Sequence, residues 1–80
     1  MQLKVKEILE CMIKNLVEDK DSVSIKEIAQ GSEINYEIRV NEKDMGRVIG
    51  KKGKIAQSIR TVMRAVAAKE NKKVKLEFID

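Results

Sequence analysis

Histidine is absent from these 80 residues, cysteine occurs once, and the only rings are one tyrosine and one phenylalanine. Without imidazole, and with a lone thiol, the usual zinc ligand sets are missing, an internal disulfide is impossible and no Cys–His or Ser–His pair can form. Cys11 reads as a flank residue beside the apolar stripe of an N-terminal helix, with no redox role expected of it. The shortage of rings also counts against nucleic-acid modules that stack bases on aromatic platforms. Tyr36 and Phe78 both fall on inward-facing strand positions and read as core. Long apolar runs are lacking too. Lys4, Lys6, Glu7 and Glu10 interrupt the N-terminal apolar positions, which excludes a signal peptide, and no stretch is long enough to span a bilayer. A cytoplasmic location is therefore expected.

What is present is a chain that is 42% apolar and 38% charged, with net charge +4. That balance belongs to a folded globular domain. At this length roughly 60 to 65% of the unfolded surface is buried, so residues 1–80 read as one domain with one modest core.

The placement of charge says more than its total. Between Gly46 and Lys69 stand seven basic residues (Arg47, Lys51, Lys52, Lys54, Arg60, Arg64 and Lys69) and no acidic one. The remaining segments hold ten basic and thirteen acidic residues, a net of −3. Positive potential is thus concentrated on one part of a near-neutral or acidic domain, the footprint of a polyanion site.

Periodicity places the elements. Leu3 to Glu18 carries apolar residues at spacings of three and four, as one amphipathic helix does, and the polar run from Glu18 to Ser22 ends it. Val23 to Ala29 is rich in β-branched residues. After Gly31-Ser32, the residues Ile34, Tyr36, Ile38 and Val40 alternate with polar ones, so the two segments predict a hairpin with one buried face. Asp44 is placed to cap a short helix through Ile49, and a second helix is predicted from about Lys54 to Lys69. Its apolar stripe is read as Ile55, Ile59, Val62 and Val66, and its polar one as Gln57, Arg60, Thr61 and Arg64. Val74, Leu76 and Phe78, alternating with Lys73, Lys75 and Glu77, predict a last strand.

Between the two later helices lies Ile49-Gly50-Lys51-Lys52-Gly53-Lys54-Ile55. Two glycines bring bare backbone and positive charge together at one turn, and the N–H groups opening the next helix point at an anion. Lysine adds attraction without base preference. It is not a Walker loop, because the first glycine and the Gly-Lys-Ser/Thr ending are missing and the preceding segment is a helix rather than a strand. No carboxylate pair flanks it to act as acid and base, so an enzyme is not expected.

This loop resembles the Gly-x-x-Gly signature of KH domains, and the order helix, strand, strand, helix, helix, strand matches the type II arrangement. The resemblance covers nearly the whole chain. It narrows, through Asp44-Met45-Gly46-Arg47-Val48-Ile49-Gly50, Ile59-Arg60-Thr61-Val62 and the alanine-rich end of the second helix, to bacterial proteins made of a single KH domain. One departure is the turn Asp19-Lys20-Asp21-Ser22, which lacks an expected proline. The resemblance implies an α+β fold of order α-β-β-α-α-β, with the helices on one face of a three-stranded sheet. It also implies a clamp on single-stranded RNA with a shallow aliphatic groove for about four bases. Carried onto this sequence, the RNA-binding residues are Arg47, Gly50, Lys51, Lys52, Gly53, Lys54, Gln57 and Arg60, with Val48, Ile49 and Ile55 as the groove edge. No cofactor or metal is implied. The partners implied are a second copy of the chain and a larger KH-containing protein of the KhpB (Jag/EloR) kind. The same resemblance implies an RNA chaperone acting in post-transcriptional regulation, cell elongation and cell-wall homeostasis. Two alternatives stand beside this one: a DNA-binding helix-turn-helix, and a protein-interaction module with an incidental basic loop.

Overall fold

A computed structural model describes residues 4–79. Its first element, α1 (Val5–Leu16), buries Val5, Leu9 and Ile13 and leaves Cys11 exposed. Leu3, included in the expected helix, lies outside the described residues. After α1 the missing proline is replaced by a carboxylate. A 3-10 turn at Lys20–Ser22 is pinned by Asp19 Oδ2, which accepts from Ser22 Oγ at 2.7 Å and Asn41 Nδ2 at 2.9 Å. The Ser22 bond, then the Asn41 bond, hold this carboxyl below the usual carboxylate range.

The hairpin forms as expected, one residue later on its first strand. Strand β1 (Ser24–Gln30) runs antiparallel to β2 (Glu33–Arg39) across Gly31-Ser32, with Ile25 opposite Ile38. The last strand, β3 (Lys73–Ile79), pairs with β2 in parallel, Tyr36 opposite Leu76, to give the sheet order β1-β2-β3. A parallel neighbour needs a crossover, and here two helices supply it: α2 (Met45–Ile49) and α3 (Lys54–Ala68). The observed order is α-β-β-α-α-β.

Alternation sorts the sheet into two faces. Ile25, Ile34, Tyr36, Ile38 and Leu76 are buried under the helices together with Leu9, Ile13, Val48, Ile59 and Met63. Each such side chain contributes about 1.5–3 kcal/mol by leaving water. Tyr36 is fully buried, and its hydroxyl donates to Glu27 Oε1 at 2.7 Å. Burial, then that bond, push its phenol above the ordinary tyrosine range. Phe78 is half-buried rather than fully in the core. The opposite face presents Lys26, Ile28, Asn35, Glu37, Lys75 and Glu77.

Helix α3 is rotated from the expected stripe. Its buried residues are Ala56, Ile59, Met63 and Ala67, while Val62 is 44% exposed. At 100° per residue the buried line lies about 75° from that of Ile55, Ile59, Val62 and Val66. Two of the four buried positions are alanines, which a reading by bulk alone passes over, and Ile55 and Val66 pack half-buried against the core as α3 lies against α1 and α2. The helix closes with Lys72 N–H on the Ala67 carbonyl and Asn71 N–H on that of Ala68, both at 3.0 Å, and Asn71 takes φ +58, a Schellman end.

Candidate nucleic-acid interface

Helix α2 has five residues, too few to be stable alone, so something else must hold the loop that follows it. That role belongs to Asp44, though not as the expected helix cap. The cap position is closed by backbone: a 3-10 turn at Glu42–Asp44 delivers the Met45 N–H to the Glu42 carbonyl, and Asn41 Oδ1 accepts from Lys43 N. The Asp44 side chain turns inward and is fully buried. Its two oxygens accept the backbone N–H groups of Glu18 at 3.2 Å and Asp19 at 3.0 Å, just past α1. Burial opposes its charge, but the two N–H bonds, with Arg47 and Lys43 nearby, overcome this and hold the carboxyl below the usual range.

From α2 the chain enters Gly50-Lys51-Lys52-Gly53 as a tight turn, with Gly53 N–H bonded to the Gly50 carbonyl at 3.2 Å. Gly50 has φ +76 and ψ 176, a region essentially restricted to glycine. Lys52 follows at φ +58 and Gly53 at φ +74, both left-handed. The two glycines differ in what surrounds them. A Cβ on Gly50 would strike the Ile55 side chain at 2.6 Å, whereas one on Gly53 would meet nothing within 4 Å. Gly50 therefore admits Ile55, and it is Gly53 that offers open backbone to an approaching chain.

Gly53 then opens α3 without a side-chain cap, and the first turn of α3 has no acidic residue. Lys51, Lys52 and Lys54 are all exposed here. Cations at the positive end of a helix dipole oppose folding slightly. A bound anion would relieve that conflict, and mismatches of this kind concentrate at functional sites.

Below the loop, Gln57, Arg60 and Arg64 follow one another at i, i+3 and i+7, so they share one face of α3. This face borders the free edge of β3. A shallow groove of about 230 Å³ is lined by Arg60, Arg64, Val74, Lys75, Leu76 and Glu77. The Arg60 guanidinium carbon stands 5.5 Å from the centre of the Phe78 ring, within cation–π range.

The expected residues thus separate. Gly50, Lys51, Lys52, Gly53, Lys54, Gln57 and Arg60 lie along one track from the loop down α3. Arg47 is drawn aside, its Nη2 3.0 Å from Glu18 Oε1 and its Nε 3.4 Å from Asp44 Oδ1. Val48 is fully buried and cannot edge a groove, while Ile49 and Ile55 are half-buried beside the loop. The β3 wall was missed by sequence reasoning. Alternation in Val74-Lys75-Leu76 predicts a strand but does not say that the strand is an edge.

Among the described residues no group of three or more His, Cys, Asp or Glu side chains is placed to hold a metal ion, and no helix is long and apolar enough to cross a membrane.

Comparisons with known proteins give the same outline. The chain is 47% identical to RNA-binding protein KhpA of Clostridium perfringens over 94% of its own length and all of that protein's. It is 40% identical to RNA-binding protein KhpA of Listeria monocytogenes, over 95% of this chain and all of the other. Among solved structures it is similar to Era in complex with MgGDPNP and nucleotides 1506–1542 of 16S ribosomal RNA. That match has a TM-score of 0.66 and 26% identity over 92% of this chain, and it spans 28% of the Era chain. A family model described as KhpA/KhpB, KH domain, matches residues 6–78. The chain belongs to the KhpA/KhpB KH-domain family.

Proposed function

We propose that this chain is a single-stranded RNA-binding domain that uses Gly50–Gly53 as a backbone clamp and the groove between α3 and β3 as a seat for about four bases. One observation carries the reading: an exposed Gly-Lys-Lys-Gly turn, held in left-handed geometry, stands at the uncapped start of α3 with no acidic residue near it in sequence. Lys51, Lys52 and Lys54 attract phosphates, Gly53 lets the sugar-phosphate chain come close, and Arg60 and Arg64 continue the positive track. With one half-buried ring at the groove, affinity comes from charge, hydrogen bonds and aliphatic contact. Binding is then modest, loosely sequence-selective and strongly salt-dependent. The names of the 40–47% identical relatives support this reading.

The residues proposed to act carry no nucleophile or acid–base pair, so the role is binding rather than catalysis. In keeping with its family, we place the chain as one KH domain over residues 1–80, in the cytoplasm. It would act as an RNA chaperone, as a homodimer and with a larger KhpB-like partner that itself contains a KH domain, in post-transcriptional regulation, cell elongation and cell-wall homeostasis. Two copies would multiply a weak clamp into useful avidity.

The test is RNA binding by wild type and by Lys51→Asp with Lys52→Asp at several salt concentrations, with folding checked by circular dichroism. A folded double variant that loses binding, with a log–log salt slope lowered by roughly 0.7 per lost phosphate contact, supports the clamp. Unchanged binding moves the site elsewhere. Stronger competition by duplex DNA than by single-stranded RNA favours a helix-turn-helix, a reading already weakened by the five-residue length of α2.

A further inference from the structure

A concavity of about 500 Å³ runs from the outward face of the sheet, at Ile28 and Asn35, around β3 to Arg64 of α3. The proposed clamp does not use it. Its floor includes Ile28, which is 38% exposed and, with Val62, is one of two large apolar side chains so presented among the described residues. Beside it is Asn35, the cross-strand partner of Ile28, whose Oδ1 is buried without a hydrogen-bond partner. A buried acceptor left unpaired costs free energy, and an Asn35 side chain turned outward would recover it by accepting an N–H from a ligand. Around these stand three cations, Arg64, Lys73 and Lys75, against one carboxylate, Glu33. An apolar seat, an unpaired acceptor and a cationic rim together suit a nucleotide, with its flat base, N–H donors and phosphate.

The concavity is also continuous with the groove. Arg64, Val74 and Lys75 border both hollows, so the free edge of β3 is the lip between them. From Lys54 to Arg64 is ten residues of α3, about 15 Å of track. A strand gripped at the loop therefore leaves the groove where Arg64 stands. We propose that RNA longer than four nucleotides turns over this edge and places a further base against Ile28 and Asn35, with its phosphate between Lys73 and Lys75. The inference rests on the RNA-binding reading of the groove, and it makes the open sheet face a second nucleotide seat for the same strand.

A sheet face with Ile28 exposed among charged residues also suits a second protein chain. The excess of positive charge and the shared Arg64 favour the polyanion here, and docking of another copy becomes an outcome of the test.

The experiment compares end-labelled oligoadenylates of four and eight nucleotides, by fluorescence anisotropy, on wild type and on Ile28→Ser with Lys73→Gln. Neither substituted residue borders the groove. Overlapping registers strengthen the 8-mer in any variant, so the readout is the ratio of 8-mer to 4-mer affinity. That ratio should fall about fivefold in the variant while 4-mer affinity is kept, the low end of what one seated base contributes. In the wild type, the Ile28 methyl and Asn35 side-chain amide resonances should shift with the 8-mer and stay in place with the 4-mer, a reading independent of the variant's stability. Wild-type binding of the 4-mer with an unchanged ratio and unmoved resonances overturns the second seat alone. Absence of binding to both oligomers removes the RNA reading and the seat with it. Movement of the Ile28 resonance with protein concentration, before RNA is added, assigns the face to a second copy and overturns the proposal.

Discussion

The space where Gly50 lacks a side chain is filled by Ile55: a Cβ at residue 50 would lie 2.6 Å from Ile55 Cγ1 and 2.9 Å from its Cβ. Because the Ile55 Cβ is fixed to its backbone, a rotamer change alone cannot clear the clash. Gly50→Ala therefore combines overpacking with a backbone region that only glycine occupies readily, and is expected to cost about 2–5 kcal/mol in urea denaturation. Gly53→Ala meets open space and bears only the left-handed penalty, about 1–2 kcal/mol. Equal losses in the two variants would contradict this division of labour.

Lys52 holds a left-handed conformation that would suit glycine better. Lys52→Gly should leave stability unchanged or raise it by up to about 1 kcal/mol, since relief of strain exceeds the added freedom of the unfolded chain. The same substitution should weaken RNA binding and reduce its salt dependence, because a cation leaves the turn. Thermal melting and anisotropy on one variant then read the two effects in opposite directions.

Asp44 makes stability depend on acid. Its folded-state carboxyl titrates below the ordinary value of 3.8, so the unfolded chain takes up the proton first as pH falls. The contribution is fully present above that value and is lost as pH drops through the lowered folded value. Asp19 is shifted in the same direction and adds to the slope. Asp44→Asn should thus flatten the loss of stability between about pH 4 and the acid transition. It should also lower stability at neutral pH, where the charged acceptor of two backbone N–H groups is gone. A variant with the wild-type acid slope would show that Asp44 does not carry this dependence.

Arg47 is half exposed and paired with Glu18, which is more exposed still. Such a surface pair contributes about 0.2–1 kcal/mol, little enough for a phosphate to compete with it. If Arg47 joins the clamp, Glu18→Gln should raise affinity for single-stranded RNA about twofold while changing stability by less than about 0.5 kcal/mol. An unchanged affinity, alongside an Arg47→Gln variant that also binds normally, would confine Arg47 to bracing α1.

The order of the elements and the position of the loop were legible because each rests on local pattern: period-2 alternation in Ile34-Tyr36-Ile38, three-and-four spacing in α1, and two glycines at a helix junction. What escaped was tertiary. Asp44 stands where a cap belongs, yet its partners lie 25 and 26 residues earlier, and no local rule points to them. On α3 the buried positions include Ala56 and Ala67, which a reading by bulk alone passes over. Val48 and Ile49 look alike in sequence, but the turn of α2 sends one into the core and leaves the other half-exposed. The second wall of the groove required knowing that β3 ends the sheet.

The link between Asp44 and the chain just past α1 is the buried one of three ties between these regions, beside Asn41 to Asp19 and Arg47 to Glu18. The amides of residues 18 and 19 fix the residue from which α2 and then the loop project. Detachment of the N-terminal helix would therefore strip Asp44 of its two amide donors and unsettle the base of the loop, even with β2, α2, α3 and β3 all intact. A surface that captured α1 would weaken the clamp through Asp44 rather than through a phosphate contact.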